Sequence, residues 1–266
     1  KGVLGGQFSA YYAFLDNGCG GVTADAAGGA GCTNGNNNFH TIGGRQAGQL
    51  MGLDYRGEYY YQFGRADGIQ TNNAGSPDTD RSAYMIGVRV GKTFKNVKFK
   101  PSVTLWYDYL SGTTDADQAD NDWGSFNTLY DTGHKYYGLQ DLFLGIGAGG
   151  AAGTRGLGLQ DLAIKFKLQP MPNWTMKFDA HAFATAEGIC ANSSTSGVSC
   201  ANTGGATDEA FQKSWLGNEL DLTLVNKYND NTKIMIGWSN FNGSHGFKRL
   251  KQSTTAGTVG ANDANW

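Results

Sequence analysis

Residues 97–143 read VKFKPSVTLWYDYLSGTTDADQADNDWGSFNTLYDTGHKYYGLQDLF, and the first thirteen alternate without a fault. Val97, Phe99, Pro101, Val103, Leu105, Tyr107 and Tyr109 fall on one face; Lys98, Lys100, Ser102, Thr104, Trp106 and Asp108 fall on the other. Successive strand side chains point to opposite sides, so the segment predicts a strand with an apolar and a largely polar face. It exceeds the usual strand of about 5–6 residues and suffices for a tilted membrane crossing, which takes about 9–11. A long acidic, aromatic-rich loop follows.

The same pattern recurs outward from this stretch. Residues 7–15 (QFSAYYAFL) predict a strand, and 40–48 (HTIGGRQAG) a weaker one whose alternation is interrupted by glycines. In 53–64, Leu53, Tyr55, Tyr59, Tyr61 and Phe63 share one face while Asp54, Arg56, Glu58, Tyr60 and Gln62 share the other. Residues 82–91 place Tyr84, Ile86, Val88 and Val90 on the apolar face and Arg89 on the polar one. Two hairpins follow, 156–168 with 173–187 and 215–228 with 232–241. Leu162, Ile164, Phe166, Trp174, Met176, Phe178, Leu216, Leu220, Leu222, Leu224, Ile234, Ile236 and Trp238 are read as facing out. The tail from residue 242 shows no alternation.

Connections alternate short and long along the chain, which a soluble β-sandwich has no reason to impose on its two ends. The reading is therefore all-β: an antiparallel transmembrane β-barrel, with short periplasmic turns, long extracellular loops and one domain over residues 1–266. The apolar face meets the lipid bilayer with its lipopolysaccharide, and the polar face lines a lumen. About nine strands are visible where single-chain bacterial barrels carry an even number, so the expectation is part of a larger barrel, lacking N-terminal strands and the closing one.

Composition narrows the function. The 266 residues carry 41 Gly and 4 Pro, and the net charge of -2 gives no basic footprint for nucleic acid. Mean hydropathy is -0.41, and no apolar run approaches the roughly 18 residues of a membrane helix. Cys19 with Cys32 and Cys190 with Cys200 form two close pairs in Gly/Asn/Ser/Thr-rich loops. Two loop disulfides would imply an oxidising compartment; four unrelated loop thiols are the alternative.

By parity the inward basic set is Arg45, Arg56, Arg89, Lys98, Lys100, Lys165, Lys167, Lys177, Lys227 and Lys233, and the inward acidic set is Asp54, Glu58, Asp108, Asp161, Asp179, Glu187, Glu219 and Asp221. His181 shares that face. The set as a whole favours anions, with Arg45, Arg56 and Arg89 the best single candidates, because arginine offers a carboxylate two donors. Cross-strand pairing that merely hydrates the wall is the competing reading for most individual residues. The loop acids Asp115, Asp117, Asp120 and Asp122 suit calcium, but lack the spacing, turn glycine and terminal Glu of an EF-hand, and solvated loop acids are the commoner reading. No cofactor is expected. Four histidines, His40, His134, His181 and His245, supply no oriented triad, so the reading is not an enzyme.

The runs WYDYLSG (106–112) and GSFNTLYDTGHKYYGLQDLF (124–143) resemble the alginate export family of outer-membrane barrels, as do HTIGGRQAG (40–48), LDYRGEYYYQFG (53–64), KFDAHAF (177–183) and LGNELDLTLVNKYNDNTKIMIGWSNF (216–241). Thr113 stands where the family motif has Asp. The resemblance implies a bacterial outer-membrane barrel of about eighteen strands whose charged lumen passes an anionic polysaccharide or oligosaccharide, served by a periplasmic export partner. A general or small-anion porin and an adhesive scaffold with exposed disulfide-bearing loops are the alternatives. Loops folded into the lumen would favour selectivity, and an open lumen would favour the porin.

Overall fold

A computed structural model describes residues 2–16, 37–67, 79–114, 116–117, 120–129, 136–143, 153–189 and 213–251. The fold is all-β. The strands are β1 (Gly6–Leu15), β2 (Phe39–Leu50), β3 (Leu53–Arg65), β4 (Asp80–Thr93), β5 (Ser102–Leu110), β6 (Asp122–Trp123), β7 (Leu159–Leu168), β8 (Trp174–Ile189), β9 (Lys213–Lys227) and β10 (Lys233–Gly243), followed by the short helix α1 (His245–Lys251). Nine of them form one antiparallel meander in the order β1-β2-β3-β4-β5-β7-β8-β9-β10, while β6 pairs with β4 in parallel. Residues 51–52, 94–101, 169–173 and 228–232 connect the strands at one end, and the long connections lie at the other.

The two faces of the sheet are inverted relative to a water-soluble protein. On β4, Tyr84, Ile86, Val88 and Val90 are exposed, whereas Arg81, Ala83, Met85 and Arg89 are buried. Leu105, Leu162, Ile164, Phe178, Leu220, Ile234, Ile236 and Trp238 extend the exposed apolar band across the other strands. Polar side chains fill the covered face, among them Glu58, Asp108, Asp161, His181, Glu219 and Asp221. An outward apolar belt over a polar interior is the arrangement a strand adopts in lipid.

What covers the polar face is the connection between β5 and β7. Gln62 of β3 donates to the Asn127 carbonyl at 2.7 Å and accepts the Asn127 N–H at 2.8 Å. Arg81 donates to the Ser125 carbonyl. Farther along, residues 136–143 reach β9 and insert Phe143 among Phe183, Phe241 and Phe247. This aromatic group, with Leu110, Leu157, Leu159, Leu216 and Leu250, forms the one large apolar core of the described residues, at the long-loop end of the sheet.

Four expectations change. Residues 97–100 do not belong to the opening strand: β5 begins at Ser102, and Phe99 and Lys100 adopt φ of 67° and 44° in the β4–β5 turn. Pro101 has no N–H to continue a ladder, and its carbonyl instead accepts the Phe94 N–H at 2.9 Å, closing the hairpin. Lys98 and Lys100 are therefore exposed turn residues and do not line the wall. Residues 40–48 lie in a full twelve-residue strand. Its glycines leave space for neighbouring aromatics, and a Cβ on Gly43 would lie 2.4 Å from the Tyr60 ring. Leu216 faces the core and not lipid, because the β8–β9 register passes from Phe183↔Gly217 to Ala184↔Trp215. The extra residue of that bulge reverses parity and turns Trp215 outward. Finally, the tail contains α1, capped by the Ser244 hydroxyl accepting the Phe247 N–H, with Phe247 and Leu250 buried on one helical face.

Candidate lumen site

The polar wall divides into three clusters set by strand register. The first centres on Arg89 of β4. Its Nη1 donates to Glu58 Oε1 at 2.6 Å and its Nη2 to Asp108 Oδ2 at 3.1 Å, while Arg56 Nη2 donates to Glu58 Oε2 at 2.6 Å. Gly87 lies between Glu58 and Asp108 across the three strands. A Cβ there would come within 2.9 Å of both acidic side chains, so the glycine makes room for them to flank the guanidinium. The guanidinium stacks over Trp106 at 3.4 Å, with Tyr136 of the inner segment 6.0 Å away. Stacking and two carboxylates together leave Arg89 buried, with both terminal nitrogens engaged.

The second cluster spans β7 and β8. His181 Nδ1 lies 2.9 and 3.0 Å from the two Asp161 oxygens, and Lys165 Nζ lies 3.1 Å from His181 Nε2 and 3.3 Å from Asp179 Oδ2. The lysine can only donate, so the ring proton is assigned to Nδ1, facing Asp161. The third cluster is Glu219 and Asp221 on β9, which accept the Gln140 and Leu139 backbone N–H groups at 2.9 and 3.1 Å.

Between the first cluster, β1 and the inner segment lies a cavity of about 340 Å³, lined in part by Tyr11, Tyr60, Tyr136, Arg56, Glu58 and Thr128. Arg45 occupies the adjoining wall opposite Glu58, with no ion-pair partner among the described residues. Toward the short turns the inward positions are basic: Lys167 stands opposite Lys177, and Lys227 opposite Lys233. Lys227 is bonded to Asp230 at 2.8 Å.

At the long-loop end, Asp122 of β6 stands directly opposite Asp80 of β4. Burial raises its pKa, and Asp117, Asp80 and Asp120 push it the same way. Lys251 of α1 donates to the Leu142 and Gly153 carbonyls, and burial, then Arg155, lowers its pKa. Burial likewise lowers that of Arg155.

Register thus brings Arg56, Glu58, Arg89 and Asp108 together, Lys165, Asp179 and His181 together, and Glu219 and Asp221 together. Lys167 and Lys177 sit apart from these clusters. Cys19, Cys32, Cys190, Cys200 and Asp115 lie outside the described residues. Asp117 Oδ2 accepts the Thr114 N–H at 2.7 Å, and no group of three His, Cys, Asp or Glu is placed to hold a metal ion among the described residues. Sequence reasoning missed Arg81, buried on the inward face eight residues before Arg89, where the same parity would have found it. It also missed the inner-segment partners Asn127, Leu139 and Gln140, whose backbone groups leave no mark in a side-chain pattern.

The family model for alginate export matches residues 5–257, nearly the whole chain. No curated protein matches it.

Proposed function

The chain belongs to the alginate export family, and on that premise we propose that it is an outer-membrane conduit for an anionic, alginate-like polysaccharide or oligosaccharide. The observation that carries the reading is the inner segment lying over the polar wall, bonded to β3, β4 and β9. It leaves a cavity lined in part by tyrosines, Arg56 and Arg89, with Arg45 on the adjoining wall and in no ion pair among the described residues. An inner segment folded over the polar wall supports selectivity more than free diffusion. Many of the wall's charges are paired with one another, so anion preference rests on Arg45, with Lys167 and Lys177 toward the short-turn end, none of which forms an ion pair among the described residues. Cations spaced along a passage attract uronate carboxylates without holding them too tightly for release. Polymer delivery from the periplasmic side by an export partner belongs to the same reading, and transport rather than catalysis is the role.

Single-channel recording of the full-length protein in a planar bilayer, with titrated oligouronate, tests it. Anion-selective current blocked by the oligouronate is the expected result. Large, weakly selective current indifferent to the sugar would instead identify a general porin, and no current at all would identify a plugged scaffold barrel.

A further inference from the structure

Strand register sorts the inward residues beside the Arg89 cluster into rows. Tyr11 of β1 and Tyr60 of β3 stand on either side of Gly43 of β2. The next row toward the short turns holds Ser9, Arg45 and Glu58, and the row after it holds Arg56. Gly43 lets the Tyr60 side chain lie down on the wall, because a Cβ at that position would come within 2.4 Å of the ring. One side of the ring therefore rests on β2, and the other is left to the cavity. The Tyr11 ring stands beside it, with centroids 6.0 Å apart and planes inclined by 49°.

Tyr136 and Tyr137 line the same cavity from the inner segment, their centroids 6.2 Å apart. At about 340 Å³ the cavity is at the small end of ligand pockets, which run about 300–1,000 Å³, so it takes a short piece of a polymer and not its whole width of conformations. Cationic donors at its edge are unused. Arg56 reaches Glu58 through Nη2, its Nη1 meets no acceptor among the described residues, and Arg45 enters no ion pair there. Rows on one face of a strand are about 7 Å apart, so Arg45 and Arg56 lie one and two rows from Tyr60.

This combination selects a chemistry. A small inorganic anion would use the arginines and gain nothing from the tyrosines. An apolar molecule would use the tyrosines and leave the arginines facing hydrocarbon. A pyranose presents C–H groups on its faces and hydroxyls at its rim, and a uronate adds a carboxylate at that rim. We propose that the recess is a sugar-ring subsite of the passage, in which one pyranose unit packs on the cavity side of Tyr60, between the wall and Tyr136, and its carboxylate meets Arg45 and Arg56. The inference rests on the conduit reading and divides its recognition in two: the tyrosines hold the ring, and the arginines hold the charge.

Isothermal titration calorimetry of the full-length protein in lipid nanodiscs, with an oligouronate and a neutral pyranose oligosaccharide of equal length, tests the division. Both sugars should bind, the uronate more tightly. Y60L should weaken both by about fivefold, while Y60F, which keeps the ring, should stay within about twofold of the unmodified protein. R45A should weaken the uronate by about tenfold and leave the neutral sugar unchanged. Absence of binding by the neutral sugar, Y60L with both affinities intact, or Y60F as damaging as Y60L would each overturn the proposal. If Y60L does not fold, Y136L and Y136F put the same question from the inner segment, with the same outcomes deciding it. Calorimetry needs no current, so a barrel that binds both sugars in this pattern but conducts nothing would sink the conduit reading and leave the subsite standing.

Discussion

Arg89 and Arg45 show how the same residue type on the same face takes opposite roles. Parity places both inward, but register surrounds Arg89 with Glu58, Asp108 and the Trp106 ring, while Arg45 keeps no ion pair among the described residues. Removing one member of a buried ion cluster strands its partners, which costs about 3–5 kcal/mol. R89M should therefore lower equilibrium stability in urea by about that amount, with R89K restoring only part, since one ammonium cannot span two carboxylates in fixed geometry. A loss below about 1 kcal/mol would mean that Glu58 and Asp108 find other partners or water. R45A should behave conversely. Stability should change by less than about 0.5 kcal/mol, while oligouronate block weakens by about tenfold, as expected for one lost charge-assisted contact. Block unchanged in R45A would remove Arg45 from the path. The sequence could place these two side chains on one face; it could not tell them apart, because the deciding neighbours come from other strands and from the glycine at 87.

Among elements, legibility followed the physics of each. Strands with one lipid face and one polar face announce themselves by period-two alternation, and β3, β4 and the β9–β10 hairpin were readable to within a few residues. Alternation misled where the backbone departs from a flat ladder. At residues 97–100 it continued into a turn, and at Leu216 a bulge shifted parity by one. In β2 the apolar pattern was absent because glycines yield their space to Phe8 and Tyr60 from neighbouring strands. The short β6 was invisible, since two residues carry no period, yet it has a titratable consequence. Parallel pairing sets Asp122 against Asp80, and burial with three acidic neighbours raises the Asp122 pKa. A carboxyl whose folded pKa lies above its unfolded value favours the folded state in its protonated form. β6 pairing should therefore be strongest below the ordinary Asp range near pH 4 and weaken as the pH rises through the folded value. Because Asp122 is only partly buried, the effect amounts to a few tenths of a kcal/mol. D122N should slow proteolysis of this rim at neutral pH and flatten its pH dependence between about pH 3 and about pH 6. Equal or faster cleavage of D122N would show that repulsion from the neighbouring acids does not limit the stability of this rim.

For the whole molecule, the decisive feature is which side of the sheet is apolar. The buried side holds arginines, carboxylates and a histidine joined by hydrogen bonds, and the exposed side holds Val88, Leu105, Ile164, Ile236 and Trp238. In water this distribution would leave a continuous apolar surface across nine strands and strand charges in the interior. In a bilayer the same distribution places each group in its preferred surroundings, since the strands between β1 and β10 are paired on both sides along the meander and the side chains that meet lipid are largely apolar. The two environments make different demands on one position. Val88 is central on β4, 46% exposed, with Ile86 and Val90 on the same outward row. An arginine there would be nearly free on a water-facing sheet, within about 0.5 kcal/mol, but should cost about 2–4 kcal/mol near a bilayer midplane. V88R in phospholipid vesicles, followed by reversible urea unfolding, should show the larger value. The penalty should shrink to about 0–1 kcal/mol when the arginine is moved to Lys92, near the short-turn end of the same row. A V88R penalty no larger than that of K92R would mean that the apolar face packs against protein or water instead of lipid, and the barrel reading of the whole sheet would fall with it.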